Sequence, residues 1–379
     1  MGDKKVSRSI EFSIEDAKRL ERLAQNREQL FEEYVSEMIP IYLIPMLESE
    51  FLTFKTEEIT VDEIHALTKR SLVENLKFET EPPLISSSID KRLHLNGHTR
   101  KLFPFIVILR CLLVLMNQQS TQYVPYDRYR TFVFETAKKL KKHLASHPDY
   151  VGADGFYERG FLDGLPWIPY EDGLDRGYSR STTTSIAERM RRSENWFHQY
   201  YSKANPKAKN PGLLLQLNLV HVHGTGNAAQ ITLTNVGREL AIGFENPLLD
   251  RAMDERTSPE FIEAPLSHDE KRLLAEIIAN EAAYEAIRMK NVLRFIAEYE
   301  HDGGVSRTQI QQAIEEDEIQ DFSRYGNRNT INKELSGLLG RLWDMGLVSD
   351  QLNLLRYSRV KRYTCSSKGQ MFLERQGLA

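Results

Sequence analysis

The stretch NTINKELSGLLGRLWDMGLVSDQLNLLRYSRVKRYTCSSKGQMFL, residues 329–373, decides how this chain folds. Its apolar positions Ile331, Leu335, Leu338, Leu342 and Met345 recur every three or four residues, the spacing of one helix face. Asn329 is placed to cap that helix. Gly346 sits where a left-handed helix end falls, a conformation glycine adopts without steric cost. Leu347-Val348 then opens an extended segment. Gln351–Leu355 and Val360–Cys365 read as two strands joined around Tyr357-Ser358, and Ser367–Leu373 closes with a helix. Upstream, Ser306 and Gln309 have capping-box spacing at the head of a helix with Ile310 and Ile314 on one side. Gly303-Gly304 ends a longer helical region before it. That region opens at the capping box Ser267/Glu270. Its apolar stripe of Leu273, Ile277, Ala283, Ile287, Val292, Leu293 and Ile296 fits one long helix or two consecutive ones.

Three helices ending in Met345-Gly346-Leu347-Val348, a two-stranded hairpin and a closing helix with Thr364, Gly369, Phe372 and Leu373 resemble the winged-helix family. The resemblance runs from Ser267 to the end of the chain. A second segment, Ser181 to Ala241, resembles the same family more loosely. Its Leu217-Asn218-Leu219-Val220 occupies the matching place, and the turn Gly224-Thr225-Gly226-Asn227 precedes a returning strand, Gln230 to Thr234. The following Asn235-Val236-Gly237-Arg238-Glu239-Leu240 starts another helix. This copy departs in having Asn218 where the other has Gly346.

The resemblance implies that the third helix enters the major groove of DNA and that the hairpin, or wing, touches backbone or minor groove. The chain's net charge is only −4, so any nucleic-acid site must be local. Residues 351–373 hold Arg356, Arg359, Lys361, Arg362 and Lys368 with no acid, a local charge of +5. Cations on a hairpin release counterions when they meet phosphates. The start of the third helix offers Arg324, Asn327, Arg328, Asn329, Thr330, Asn332 and Lys333, and Asn and Arg make bidentate contacts with base edges. A second island spans residues 176–209, with eight bases against Glu188 and Glu194, net +6. Arg180, Arg189, Arg191 and Arg192 are its candidate contacts. Residues 245–286 between the islands carry eleven acids and four bases, net −7.

The remaining chain reads as helical. Ser13 can cap a helix that Pro40 and Pro45 end or kink, Thr60 and Glu63 form another capping box, and Glu81-Pro82-Pro83 is a break. The apolar run Phe103–Met116 is too short to span a bilayer, contains Arg110, and is expected as a buried core element. Tyr126–Leu144 has helical spacing. Glycines and prolines cluster from Tyr150, and helical spacing resumes from Ser181 to Tyr201. The expected organisation is mainly α with small β-hairpin wings: a helical N-terminal domain at 1–150, a winged helix at 151–245, an acidic linker at 246–266 and a winged helix at 267–379. Two cysteines, Cys111 and Cys365, exclude a zinc or disulfide framework. The charged N-terminus lacks a signal-peptide core, and a cytoplasmic location is expected.

Other chemistries have less support in the sequence. His221 and His223 share a strand face, and His198 lies apart, with no placed third ligand, so no metal or other cofactor is expected. Glu135 with Lys138, or Asp154 with Glu158 and Asp163, lack the strand pair a nuclease uses. The expectation is a non-catalytic DNA-binding protein with double-stranded DNA as partner, most simply a transcriptional regulator, acting as a homodimer or within a larger complex and without a membrane. Tandem winged helices also look like the recognition halves of modular restriction enzymes and like plasmid replication initiators, though no cleavage domain or ATPase accompanies them here. The alternatives are therefore a DNA-recognition subunit of a restriction, defence or replication-initiation assembly, and a protein–protein scaffold.

Overall fold

The structure, a computed structural model, describes residues 64–77, 95–146, 162, 164–168, 186–208, 211–251, 264–299, 303–322, 327–355 and 358–377. All belong to one compact unit, Thr60–Ala379. The cap at Ser13, the box at Thr60/Glu63 and the Glu81–Pro83 break lie outside them. The fold is mainly helical, with two small antiparallel sheets of three strands each.

A short helix α1 (Lys69–Glu74) leads, capped by Thr68. Helix α2 (Phe103–Gln119) follows, with every residue from Phe103 to Asn117 buried. A helix apolar on all sides must be enclosed by its neighbours, and α2 is the axis of the first half. No helix among the described residues is long and apolar enough to cross a membrane. The one charge inside α2, Arg110, is satisfied by its surroundings. It pairs with Asp250 at 2.7 Å and donates to the carbonyls of Leu67 and Ala241, each at 2.9 Å. Strand β1 (Val124–Pro125), helix α3 (Tyr126–Ser146) and helix α4 (Ile186–Phe197) come next, α4 continuing as a π turn over His198–Ser202. One helical turn, α5 (Leu213–Gln216), precedes the hairpin of β2 (Val220–His223) and β3 (Gln230–Leu233), and α6 (Asn235–Ile242) closes the half. The sheet order is β1-β3-β2, with Val124 opposite Ile231 and Val220 opposite Leu233. Val124–Pro125 thus shares a sheet with residues beyond position 150, where a domain boundary was expected. The acidic segment after α6 is anchored at its start: Asp250 holds Arg110, and buried Asn246 donates to Glu270 and to the Pro265 carbonyl.

The second half starts with α7 (His268–Glu281), opened by the expected Ser267/Glu270 box, and α8 (Ala283–Glu298). The helical stretch breaks at Ala282, which resets the phase of the stripe. Ile277, Val292, Leu293 and Ile296 are buried as expected, whereas Ala283 and Ile287 are exposed and Ala286 and Met289 take the inner face. Strand β4 (Val305–Ser306) and α9 (Arg307–Glu315) follow, the Ser306/Gln309 box closing as expected. Then come α10 (Arg328–Asp344), β5 (Val348–Leu355), β6 (Ser358–Cys365) and α11 (Ser367–Gly377), with sheet order β4-β6-β5.

The two halves match bond for bond where a helix hands over to the hairpin. Asn218 and Gly346 both take positive φ, 53° and 69°. The next N–H closes a Schellman turn in each: Leu219 donates to the Leu214 carbonyl at 2.8 Å, and Leu347 to that of Leu342 at 2.9 Å. The Thr234 hydroxyl donates to the Asn218 carbonyl and the Ser366 hydroxyl to that of Gly346, both at 2.6 Å. The same two hydroxyls accept the N–H of Gly237 and of Gly369, both at 3.0 Å. These glycines lie so close to the carbonyls of Leu219 and Leu347 that neither site has room for a Cβ.

Candidate nucleic-acid interface

Strands β5 and β6 pair along their whole length, from Val348 opposite Cys365 to Leu355 opposite Ser358. Strand β4 pairs only with Tyr363 and Arg362 at the base. Beyond it, Leu352–Leu355 and Ser358–Lys361 continue as a two-stranded ribbon, roughly 13 Å long at strand rise. Arg359 and Lys361 stand on this ribbon opposite Leu354 and Leu352. Arg356 lies outside the described residues. Arg362 is at the base, half-buried, and donates to the Gly304 carbonyl at 2.7 Å, so it ties the hairpin to the turn before β4. Lys368 is exposed in the first turn of α11, which holds no acid.

The start of α10 is open. Asn327, Arg328 and Asn329 are exposed, while Thr330, Asn332 and Lys333 are half-buried. Arg324 lies outside the described residues. The cap is Asn327 and not Asn329. Asn327 has the extended backbone an N-cap requires (φ −141°, ψ 148°), and its Oδ1 accepts the Thr330 N–H at 2.8 Å. Asn329 is thereby moved into the first turn. Arg328 pairs with Glu315 at 3.3 Å on the surface, a contact easily exchanged for phosphate. Asn332 accepts from Arg307 through its backbone carbonyl at 2.8 Å.

From Lys333 onward the outward face of α10 is covered by the loop Leu95–Leu102. Its inner face packs Leu335, Leu338, Leu342 and Met345 into the core. On the opposite side Gly97 rests against the Lys333 backbone, Gly337 against Gly97, and Gly340 against the Arg100 carbonyl, backbone to backbone. Buried Arg341 donates to the carbonyls of Asn96 and Thr99 and holds Glu285. Buried Asp344 accepts from Lys101 at 3.1 Å and from the Leu102 N–H at 2.6 Å. The Lys101 ammonium also lies 3.9 Å from the centre of the Trp343 ring. The same loop reaches the first half, where the His98 and Tyr200 rings are 4.3 Å apart. The sequence signal for this contact is the pair Gly337 and Gly340. Two small residues, one turn apart and opposite the apolar stripe, mark close backbone approach.

The first half arranges its charges differently. The turn α5, in the place of α10, is four residues long and entirely buried. Arg191 and Arg192 on α4 both bond Glu188 at 2.8 Å, and these arginines hold its carboxyl down to about 2. Arg189 lies over the Trp167 ring at 5.9 Å, and Arg180 is outside the described residues. Helix α3 carries a basic surface that its apolar period does not reveal: Arg128, Arg130, Lys138, Lys139, Lys141 and Lys142 against Asp127 and Glu135. Glu135 and Lys138 are a surface ion pair at 2.5 Å. His198 is buried and shares a hydrogen with the Ser202 hydroxyl at 2.7 Å. His221 and His223 lie on β2 opposite Thr232 and Gln230. Among the described residues no three His, Cys, Asp or Glu side chains converge to hold a metal.

Comparisons with protein-family models, with curated proteins and with solved structures find no match.

Proposed function

We propose that the chain is a non-catalytic DNA-binding protein built from two winged-helix modules, with the β5–β6 hairpin as a basic wing against the phosphate backbone. One observation carries this reading: the segment 351–373 holds five bases and no acid, and it includes a ribbon that runs past the third strand of its sheet. A cationic ribbon that continues past the third strand of its sheet can follow a phosphate row. The module assignment is supported by the shared element order, the shared first-third-second strand order and the matched Schellman turns.

Within this reading, a role as DNA-holding subunit of a larger processing or defence assembly fits better than that of a sequence-selecting regulator. Selection draws on base contacts from the N-terminal part of a recognition helix, and here α10 offers only its first turn for them. A cytoplasmic location is part of this proposal. The covered face also favours a second reading, a protein–protein scaffold, because α10 already uses its outward side to hold a protein segment.

A gel-shift titration with a labelled 30-base-pair duplex at low salt separates the two readings. The wild type is expected to shift the duplex, and Arg356→Ala/Arg359→Ala/Lys361→Ala to need at least about tenfold more protein, since three cationic contacts are lost. Arg362 is left intact because it holds Gly304. Duplex recovered unbound at every wild-type concentration would leave the scaffold reading.

A further inference from the structure

The covered face of α10 raises the question of what replaces it, and the answer rests on the DNA-binding reading. The major groove is about 12 Å wide, and a helix with its side chains is about 10–12 Å across. A bare helix fills the groove. A helix carrying a second layer of chain over Lys333–Asp344 can enter it only by its first turn.

We propose that the loop Leu95–Leu102 takes the place of that face, with Arg100 and Lys333 meeting duplex phosphates, so that DNA is held through its backbone whatever its sequence. The loop lies beside the open first turn of α10, since Gly97 sits on the Lys333 backbone. Arg100 is exposed, and His98 and Lys333 are half-buried. Burial, then the charges of Lys333 and Arg100, lower the proton affinity of His98, so the cations at this surface are Lys333 and Arg100 beside a neutral imidazole. No carboxylate acts on His98 among the described residues. The neighbouring acids, Glu334 and Asp344, are buried beneath the loop, against Arg288 at 3.9 Å and Lys101 at 3.1 Å. The surface above them is therefore left positive, which suits a polyanion. The ligand class is duplex phosphate, and the contact is built jointly by both halves of the chain.

The test is the affinity of the full-length protein for three unrelated 30-base-pair duplexes over a salt series. Wild type, Arg100→Ala/Lys333→Ala, Arg100→Lys and the hairpin triple variant are compared, with melting temperatures as folding controls. Affinities for the three duplexes are expected to agree within about threefold, and the loop double variant to bind about tenfold more weakly. Its slope of log affinity on log salt should be shallower by about 1.8, from two lost phosphate contacts at about 0.9 each. Arg100→Lys should bind like the wild type, because the charge is kept. A loop variant with unchanged affinity and slope overturns the assignment, as does one duplex bound 100-fold more tightly than the others. In both cases wild-type binding, and with it the DNA reading, stands. Absence of wild-type binding at the lowest salt overturns the DNA reading itself.

Discussion

Arg341 is buried beneath the loop Leu95–Leu102, and its guanidinium holds Glu285 and two loop carbonyls at once. Truncating one partner of such a cluster leaves the other charge buried and uncompensated, which costs about 3–5 kcal/mol. Arg341→Met is accordingly expected to lower unfolding stability in urea by that amount, whereas Arg328→Met, which breaks a surface pair, should change it by less than about 1 kcal/mol. His198 supplies a pH signature. Burial, then the charge of Arg130, pull its pKa down to about 4. Between about pH 6.5 and 4 the unfolded chain binds a proton there that the folded chain does not, so this residue's contribution falls as pH drops. The loss is roughly 3 kcal/mol at most across that window. Glu270, Glu334 and Asp344, raised by burial, act in the opposite direction. The measurement is therefore the difference between wild type and His198→Gln, and the variant should lose less stability on acidification.

The matched turns make the elements comparable across the two halves. Gly346 takes positive φ without penalty, while Asn218 tolerates it at some cost. Gly346→Ala should destabilise by about 1 kcal/mol, and Asn218→Gly should stabilise by up to about 1 kcal/mol. Thermal melts giving the same sign for both would contradict the equivalence. Gly237→Ala and Gly369→Ala should each cost more than about 1 kcal/mol, because a Cβ there meets backbone that cannot yield. Much of this level is legible in sequence. The two serine capping boxes, the buried run from Phe103, the hairpins and the left-handed positions all follow from local chemistry. The break at Ala282 is not legible, because Ala282-Ala283 carries no Gly or Pro signal and the helix restarts at once. The cap on α10 is misplaced by two residues because Asn327 and Asn329 are equally good cap types, and only the backbone angle decides between them. The short α5 is hidden because a buried leucine run has the same composition as helix or strand.

At the scale of the whole molecule, charge patterning finds the hairpin but not the covering of α10. Which face of a helix stays open is settled by a loop more than 200 residues away in sequence, and periodicity is blind to such contacts. The basic islands likewise look alike in sequence. In the fold, Arg191 and Arg192 on α4 share Glu188, while the ribbon of Leu352–Leu355 and Ser358–Lys361 carries no acid. In the proposed role this ribbon holds nucleic-acid phosphate. The most direct measurement is the salt dependence of duplex binding by fluorescence anisotropy, wild type beside Arg356→Ala/Arg359→Ala/Lys361→Ala. A linear fall of log affinity with log salt is expected, and a slope about 2–3 shallower in the variant, from roughly 0.9 per lost phosphate contact. A variant slope equal to that of the wild type, or no binding by either protein at low salt, would contradict it.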